Sequence, residues 1–193
     1  MAASAYVAPT AVVSGDVTVG EDARILFGAV VTADGGPVEI GRQCIVMENA
    51  LVRGRREHPA RIGDYVIVGP HAHVNGAEIG ESAFLATGVS VFPGARVGSR
   101  AEIRINGVVH VNSAVPEEEL VPIGWVAVGD PAEVFPPDRH DEIWAIQEKL
   151  DFPRTVFGVE RPREGTLQDL QPEVTRRYAE LFGRHRADRI VAE

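Results

Sequence analysis

An aliphatic residue recurs about every six positions along most of this chain, and this period restricts the fold more than any other feature of the sequence. Nineteen positions follow it: Val7, Val13, Val19, Ile25, Val31, Ile40, Val46, Val52, Ile62, Val68, Val74, Ile79, Leu85, Val91, Val97, Ile103, Val109, Val115 and Val121. Four residues after most of them stands a small or modest residue such as Ala72, and three residues after many stands Gly, Asn or Asp, which tolerate positive φ. The pattern predicts a short strand, a tight corner and another short strand, with the aliphatic side chain inward.

Three such hexads form one triangular coil, and stacked coils bury each other's aliphatic residues. The sequence therefore predicts an all-β trunk, a left-handed parallel β-helix of hexapeptide repeats with about seven coils, followed by C-terminal α-helices. A β-sandwich would need alternating strands with turn signals every eight to twelve residues, which a period of six does not provide. We expect the β-helix over residues 1–135 and a helical extension over 136–193.

Two interruptions of the period, at 33–39 and 53–61, are predicted to be loops at the corners of coils. The second loop is basic and contains His58. Beyond the trunk, the apolar spacing predicts a helix over 138–150 with Asp138 as its N-cap, then a connector over 151–171. A second helix is predicted over 172–185, with an apolar side made of Val174, Tyr178, Leu181 and Phe182.

Charge and composition exclude several classes of function. The formal net charge of −9 and the aromatic content of 6% argue against nucleic acid and anionic membranes as partners. A single cysteine, Cys44, excludes an internal disulfide. Nothing at the N-terminus combines a basic region with an apolar run, so we expect no secretory leader. We expect a cytoplasmic protein.

Two histidines, His71 and His73, lie in the middle of the repeat. His71 stands at a corner position, whereas His73 and Asn75 share the outward face of the next strand because residues two apart on a strand point the same way. With His58 from the basic loop, or with a histidine of a neighbouring subunit, they could supply two or three nitrogen ligands to a metal. The alternative is that His71 tolerates a left-handed corner and His73 packs at a subunit interface. His110 points outward on the same face, two coils away.

The segments ILFGAVVTAD, IGRQCIVMENALV, IGDYVIVGPHAHVNGAEIG, FLATGVSVFPGARVG and VAVGDPAEV resemble the γ-class carbonic anhydrase family. The resemblance implies a homotrimer with zinc held between subunits. The outward apolar residues Phe27, Leu51 and Phe92 agree with a trimer, since a monomer would leave them in water.

This sequence departs from the family at the site itself. The positions of the family's three zinc histidines hold Arg53, Pro70 and Asn75, so the usual zinc histidines are absent. Thr32 takes the place of the family's arginine, although the aspartate that follows that arginine is kept as Asp34. The family's Gln-Asp pair corresponds to Met47-Glu48 here.

The resemblance implies a metal-dependent hydratase or hydrolase acting on CO2 or a small carbonyl compound at a subunit interface. In that reading Glu48, Arg53 and Asn75 are the catalytic candidates, and His58, His71 and His73 bind zinc. Two alternatives remain open. One is a CoA-dependent hexapeptide acyltransferase, in which His58 would be the general base. The other is a metal-free trimeric scaffold without carbonic anhydrase activity.

Overall fold

The computed structural model describes residues 1–160, 166–183 and 185, and its trunk is a left-handed parallel β-helix, as predicted. Each coil contributes one short strand to each of three sheets, so neighbouring strands within a sheet are three strands apart in sequence. The first sheet has seven parallel strands, so the trunk has about seven coils.

The strands of each sheet are as follows. The first sheet contains β1 (Tyr6–Val7), β4 (Arg24–Ile25), β7 (Ile45–Val46), β10 (Ile67–Val68), β13 (Phe84–Leu85), β16 (Glu102–Ile103) and β19 (Leu120–Val121). The second contains β2 (Val12–Ser14), β5 (Val30–Thr32), β8 (Leu51–Arg53), β11 (His73–Asn75), β14 (Ser90–Val91), β17 (Val108–Val109), β20 (Val126–Val128) and β21 (Glu133–Phe135). The third contains β3 (Val17–Val19), β6 (Val38–Ile40), β9 (Ala60–Ile62), β12 (Glu78–Ile79), β15 (Arg96–Val97) and β18 (Ala114–Val115).

The core of the trunk is the set of inward aliphatic residues. Val74, for example, pairs with Val52 in the coil before it and with Val91 in the coil after it, and all three side chains are buried. Full burial of one such side chain contributes about 1.5–3 kcal/mol, so the repetition of this contact from coil to coil stabilises the stack. The strands are too short to be stable alone, and each depends on its neighbouring coils.

Asparagine and glycine form matched pairs at several corners. Gly28 and Gly88 have φ of 71°, and the Oδ1 atoms of Asn49 and Asn106 in the following coils lie where a Cβ on these glycines would stand. Asn49 and Asn106 themselves have φ of 58° and 56°. The corner positions thus need residues that accept a left-handed backbone, as the sequence indicated.

The trunk ends in an antiparallel pair, β20 with β21, and then in α1 (His140–Gln147), which lies against β20. The helix begins two residues later than predicted. Asp138 is not its N-cap, because the backbone N–H of Arg139 donates to Pro136 O at 3.1 Å and holds this segment in a turn, which leaves Arg139 in the capping position. A 3₁₀ turn, Glu148–Leu150, follows the helix.

The chain divides into two compact units, Met1–Leu150 and a second one from Asp151 onward. The second unit was predicted to start as a connector, yet Pro153–Phe157 forms a π-helical turn and Leu167–Leu170 a 3₁₀ turn. Local backbone hydrogen bonds explain this difference, since Thr155 N–H donates to Asp151 O at 3.0 Å. Residues 161–165 of the predicted connector lie outside the described residues.

The second predicted helix is α2 (Gln171–Gly183), close to its expected bounds, with His185 beyond its end. Val174 is its buried residue, and the Tyr178 hydroxyl donates to Val156 O at 3.3 Å. The Tyr178 ring stacks on that of Phe182, whereas Leu181 and Phe182 are each 37% exposed, so the predicted apolar side is only partly covered among the described residues. In the described part of the chain, no helix has the length and apolarity needed to cross a bilayer.

Candidate functional site

The outward face of the second sheet carries a column of polar side chains. Thr32 of β5, Arg53 of β8 and Asn75 of β11 occupy the same register in three successive coils. Thr32 and Asn75 are 6% and 5% exposed. One coil contains about twenty residues here, so residues that far apart in sequence lie side by side in neighbouring coils. The length of the coil therefore produces this column.

Asp34 joins this column from the first insertion, two residues after Thr32. The Thr32 hydroxyl donates to Asp34 Oδ1 at 2.6 Å, and Arg53 Nε lies 2.9 Å from Asp34 Oδ2. The Asp34 side chain is 7% exposed and that of Arg53 is 27% exposed. A buried carboxylate needs such partners, because an unpaired charge in the interior is strongly destabilising.

His73 and Asn75 lie on β11 beside this ion pair. Burial lowers the pKa of the His73 imidazole, and the nearby positive charges of Arg53 and Arg55 lower it further, so the ring is neutral near pH 7. His73 Nε2 and Asn75 Oδ1 are buried, and no hydrogen-bond partner among the described residues reaches either atom. Buried polar atoms without partners are rare in folded proteins, so these two call for an explanation.

His71 and Glu48 lie at the corner between the first and second sheets. His71 is exposed, has φ of 58°, and donates its backbone N–H to Glu48 O in the preceding coil at 3.0 Å. The left-handed corner is the conformation that the sequence allowed for this histidine. Glu48 is half-buried.

His58 lies at the opposite end of the second sheet, in the second insertion. Two backbone hydrogen bonds close its loop, Arg55 N to His58 O at 2.9 Å and His58 N to Arg55 O at 3.2 Å. Its ring fits over Gly94, where a Cβ would come within 3.1 Å of His58 Cε1. The loop borders a groove of about 450 Å³ lined in part by His58, Gly76, Gly94 and Asn112.

The three predicted metal ligands therefore occupy three different places of one chain: His71 at one corner, His73 on the sheet face and His58 at the next corner. Across residues 1–160, 166–183 and 185, no three His, Cys, Asp or Glu side chains converge as a metal site. Of the predicted catalytic residues, Arg53 and Asn75 share the polar column, whereas Glu48 lies at the corner. Zinc binding by these histidines stays a prediction for a site shared between subunits.

The sequence did not predict the contacts of two residues on the outward face of the second sheet, Asp34 and His110. Sequence reasoning kept Asp34 from the family's pattern but assigned it no partner. His110 is 6% exposed, and its ring stacks on that of Phe92 with centroids 6.1 Å apart. Phe92, one coil earlier on the same outward face, was the signal that His110 would be covered.

Comparisons with known proteins bear on this site. No protein-family model matches the chain. It is 30% identical to γ-carbonic anhydrase 1, a mitochondrial protein of Arabidopsis thaliana, over 60% of this chain and 44% of that protein. It is 29% identical to a probable carbonic anhydrase of Methanocaldococcus jannaschii, over 74% of this chain and 86% of that protein.

The fold and these relatives together show what the chain resembles. It is built of hexapeptide repeats and is similar to γ-carbonic anhydrases. The matches span about half the length of the first two plant relatives, 44% and 51%. Activity, substrate and partners of the whole protein are therefore matters for proposal.

Solved structures of acetyltransferases also resemble this γ-carbonic-anhydrase-like trunk. A variant of the perosamine N-acetyltransferase of Caulobacter crescentus, in complex with CoA and GDP-perosamine, is 29% identical over 66% of this chain and 54% of that one, with a TM-score of 0.51. The acetyltransferase domain of PglB from Neisseria gonorrhoeae, in complex with acetyl coenzyme A, gives 22% over 68% and 58%, with a TM-score of 0.53. At that identity the second likeness concerns the fold alone.

The γ-carbonic-anhydrase-like chain does not fit zinc in the way its family binds it. A guanidinium has no lone pair for a metal, and Arg53 holds Asp34 in an ion pair at the place of the first zinc histidine. Pro70 offers no side-chain ligand, and Asn75 offers an amide in place of an imidazole. At the position that the resemblance gives to the first zinc histidine, this chain thus carries a fixed positive charge on Arg53.

Proposed function

We propose that this chain is a metal-independent γ-carbonic-anhydrase-like protein, which binds a small molecule at the second sheet and does not hydrate CO2 on zinc. The observation that carries the proposal is the ion pair between Arg53 Nε and the buried Asp34 carboxylate, at 2.9 Å. By the resemblance, Arg53 stands at the position of the first zinc histidine of the γ-carbonic anhydrases.

Electrostatics support this choice. Two like unit charges 4 Å apart repel by about 4 kcal/mol at an effective dielectric constant of 20, and a dication doubles that. Zinc beside Arg53 would therefore need compensating anionic ligands, while Asp34 is already engaged. Activation of water by zinc requires neutral imidazole ligands and an open fourth position, which the column of Thr32, Arg53 and Asn75 does not supply.

The first prediction concerns metal content and hydratase activity. We expect elemental analysis of the purified wild type to find substoichiometric zinc, and stopped-flow assays to find no CO2 hydration above the uncatalysed rate. The triple variant Arg53→His/Pro70→His/Asn75→His restores the three imidazoles on the same trunk, and we expect it to gain zinc. Arg53→His alone is the matched control and should gain none.

Stoichiometric zinc in the wild type would refute the proposal. The comparison of His71→Ala and His73→Ala would then show whether those histidines hold the metal, as the sequence suggested. Unchanged zinc in both variants would place the metal elsewhere.

A second candidate function is acyl transfer from CoA, and the groove beside His58 favours it. The groove is open, and glycines at 76 and 94 form part of its lining. In this reading the His58 imidazole accepts the proton from a substrate hydroxyl or amine as that group attacks the thioester carbonyl, and the CoA thiolate leaves.

The second prediction separates this candidate from the first. If the chain is an acyltransferase, acetyl-CoA should perturb the NMR signals of residues 57–59, 76 and 94, and His58→Ala should abolish thiol release from acetyl-CoA with an acceptor present. His140→Ala, at the exposed start of α1, is the control. If acetyl-CoA leaves the spectrum unchanged, this candidate is wrong.

A further inference from the structure

Two buried polar atoms on one strand have no hydrogen-bond partner among the described residues. Asn75 is 5% exposed, and its Oδ1 lacks a donor within the part of the chain that the structure describes. His73 Nε2, two residues earlier on the strand, is also buried without a hydrogen-bond partner among the described residues. Both side chains leave the same face of β11, so one small ligand can meet both atoms.

The surroundings of these atoms are positively charged. Arg53 is the register partner of Asn75 in the preceding coil, and Arg55 is close enough to His73 to act on its charge. The stem of Arg55 also passes Gly76, with Cγ 3.3 Å from the position of a Cβ there. Arg53 is paired with Asp34, and Arg55 brings a second positive charge to the same side of His73.

Side chains at the end of β11 line this site. Arg53 is partly exposed and His73 half-buried, so the column opens to the outside of the second sheet. This partial exposure is the route by which a small ligand approaches the two atoms.

We propose that this site binds a small 2-hydroxycarboxylate, with the carboxylate toward the guanidinium groups of Arg53 and Arg55 and the hydroxyl donating to Asn75 Oδ1 beside His73. This inference rests on the proposed metal-independent function and adds the class of ligand. A carboxylate without a hydroxyl leaves the Asn75 oxygen unpartnered, which costs affinity. An amino acid provides donors, but its ammonium group is repelled by the two arginines.

Three probes of nearly equal size test this inference on the full-length wild type: glycolate, acetate and glycine. We expect glycolate to bind about tenfold more tightly than either of the others in calorimetric or NMR titrations at fixed salt, since one buried hydrogen bond to an otherwise unpartnered group is at stake. Asn75→Leu should remove the preference for glycolate over acetate. His73→Gln is a second variant, and Thr18→Val, exposed on the third sheet, should change nothing.

Equal affinities for glycolate and acetate would overturn the inference, as would an Asn75→Leu variant that still prefers glycolate. A wild type that binds none of the probes, while Asn75→Leu changes the sedimentation coefficient, would overturn it too, because a second copy of the chain would then cover these atoms. Zinc analysis of the same sample keeps the two proposals apart. Stoichiometric zinc refutes the proposed function, whereas a zinc-free protein indifferent to glycolate refutes only the ligand class.

Discussion

The imidazole of His110 lies against Phe92 on the outward face of the second sheet, and its burial lowers the pKa of the ring to about 4. In the unfolded chain a histidine titrates near 6.5, so between pH 6.5 and 4 the unfolded state binds more protons than the folded state. The free energy of unfolding should therefore fall as the pH falls through this window, by about 3 kcal/mol at its lower end. Above pH 6.5 the effect is absent.

The third prediction follows from this titration. Urea unfolding at pH 7 and 4.5 should show a loss of stability in the wild type that is about 2–3 kcal/mol larger than in His110→Phe. His140→Gln, an exposed histidine, should keep the wild-type pH dependence. If His110→Phe loses as much stability as the wild type, another buried group is responsible.

At the scale of strands and corners, two glycines offer a controlled comparison. Gly88 and Gly124 share a φ of 71°, but a Cβ on Gly88 meets Asn106 Oδ1 while a Cβ on Gly124 meets nothing within 4 Å. The fourth prediction is that Gly88→Ala destabilises the trunk more than Gly124→Ala, which pays only the backbone strain of about 1–2 kcal/mol. Thermal melts measure the difference, and adding Asn106→Gly to Gly88→Ala should recover part of it. Equal melts for the two alanine variants would contradict this reading of the corner.

The sequence predicted the strands well because the hexad period and the corner residues act within one coil. It did not predict which carboxylate would meet Arg53, because Asp34 lies on an insertion whose position depends on the coil below. The start of α1 was displaced for a similar reason, since the turn from Pro136 to Arg139 competes with a cap at Asp138. The unpartnered atoms of the site arise from stacking, and no local pattern marks them.

At the scale of the whole molecule, the corner between the first and second sheets carries exposed apolar residues near both of its ends. Phe27, Ile105 and Ile123 occupy equivalent corner positions and are 52%, 45% and 61% exposed. Of the residues predicted to face a trimer partner, Phe27 is exposed, whereas Leu51 is half-buried and Phe92 is covered by His110. Ile105 and Ile123 stand in neighbouring coils, whereas Glu48, Pro70 and Thr87 stand at the corner between them and Phe27. Exposed apolar side chains that cluster, as Ile105 and Ile123 do, are typical of an interaction site.

The fifth prediction is that the chain forms a homotrimer through this corner. Light scattering should give a trimer for the wild type at micromolar concentration and a smaller species for Phe27→Ser/Ile105→Ser. Phe84→Ser, 40% exposed on the first sheet, is the control and should stay trimeric. A monomeric wild type would refute the prediction.

The pairs of glycine and asparagine at the corners also limit how this trunk can grow. Duplicating or deleting one coil would preserve the period of six, yet it would create a seam between corners that do not match. Without the coil that carries Asn49, Gly28 would face the corner of His71, which presents an imidazole where the amide oxygen had filled the space. The coils resemble one another in sequence, but each fits only its own neighbours, so their order is fixed by the fit at each corner.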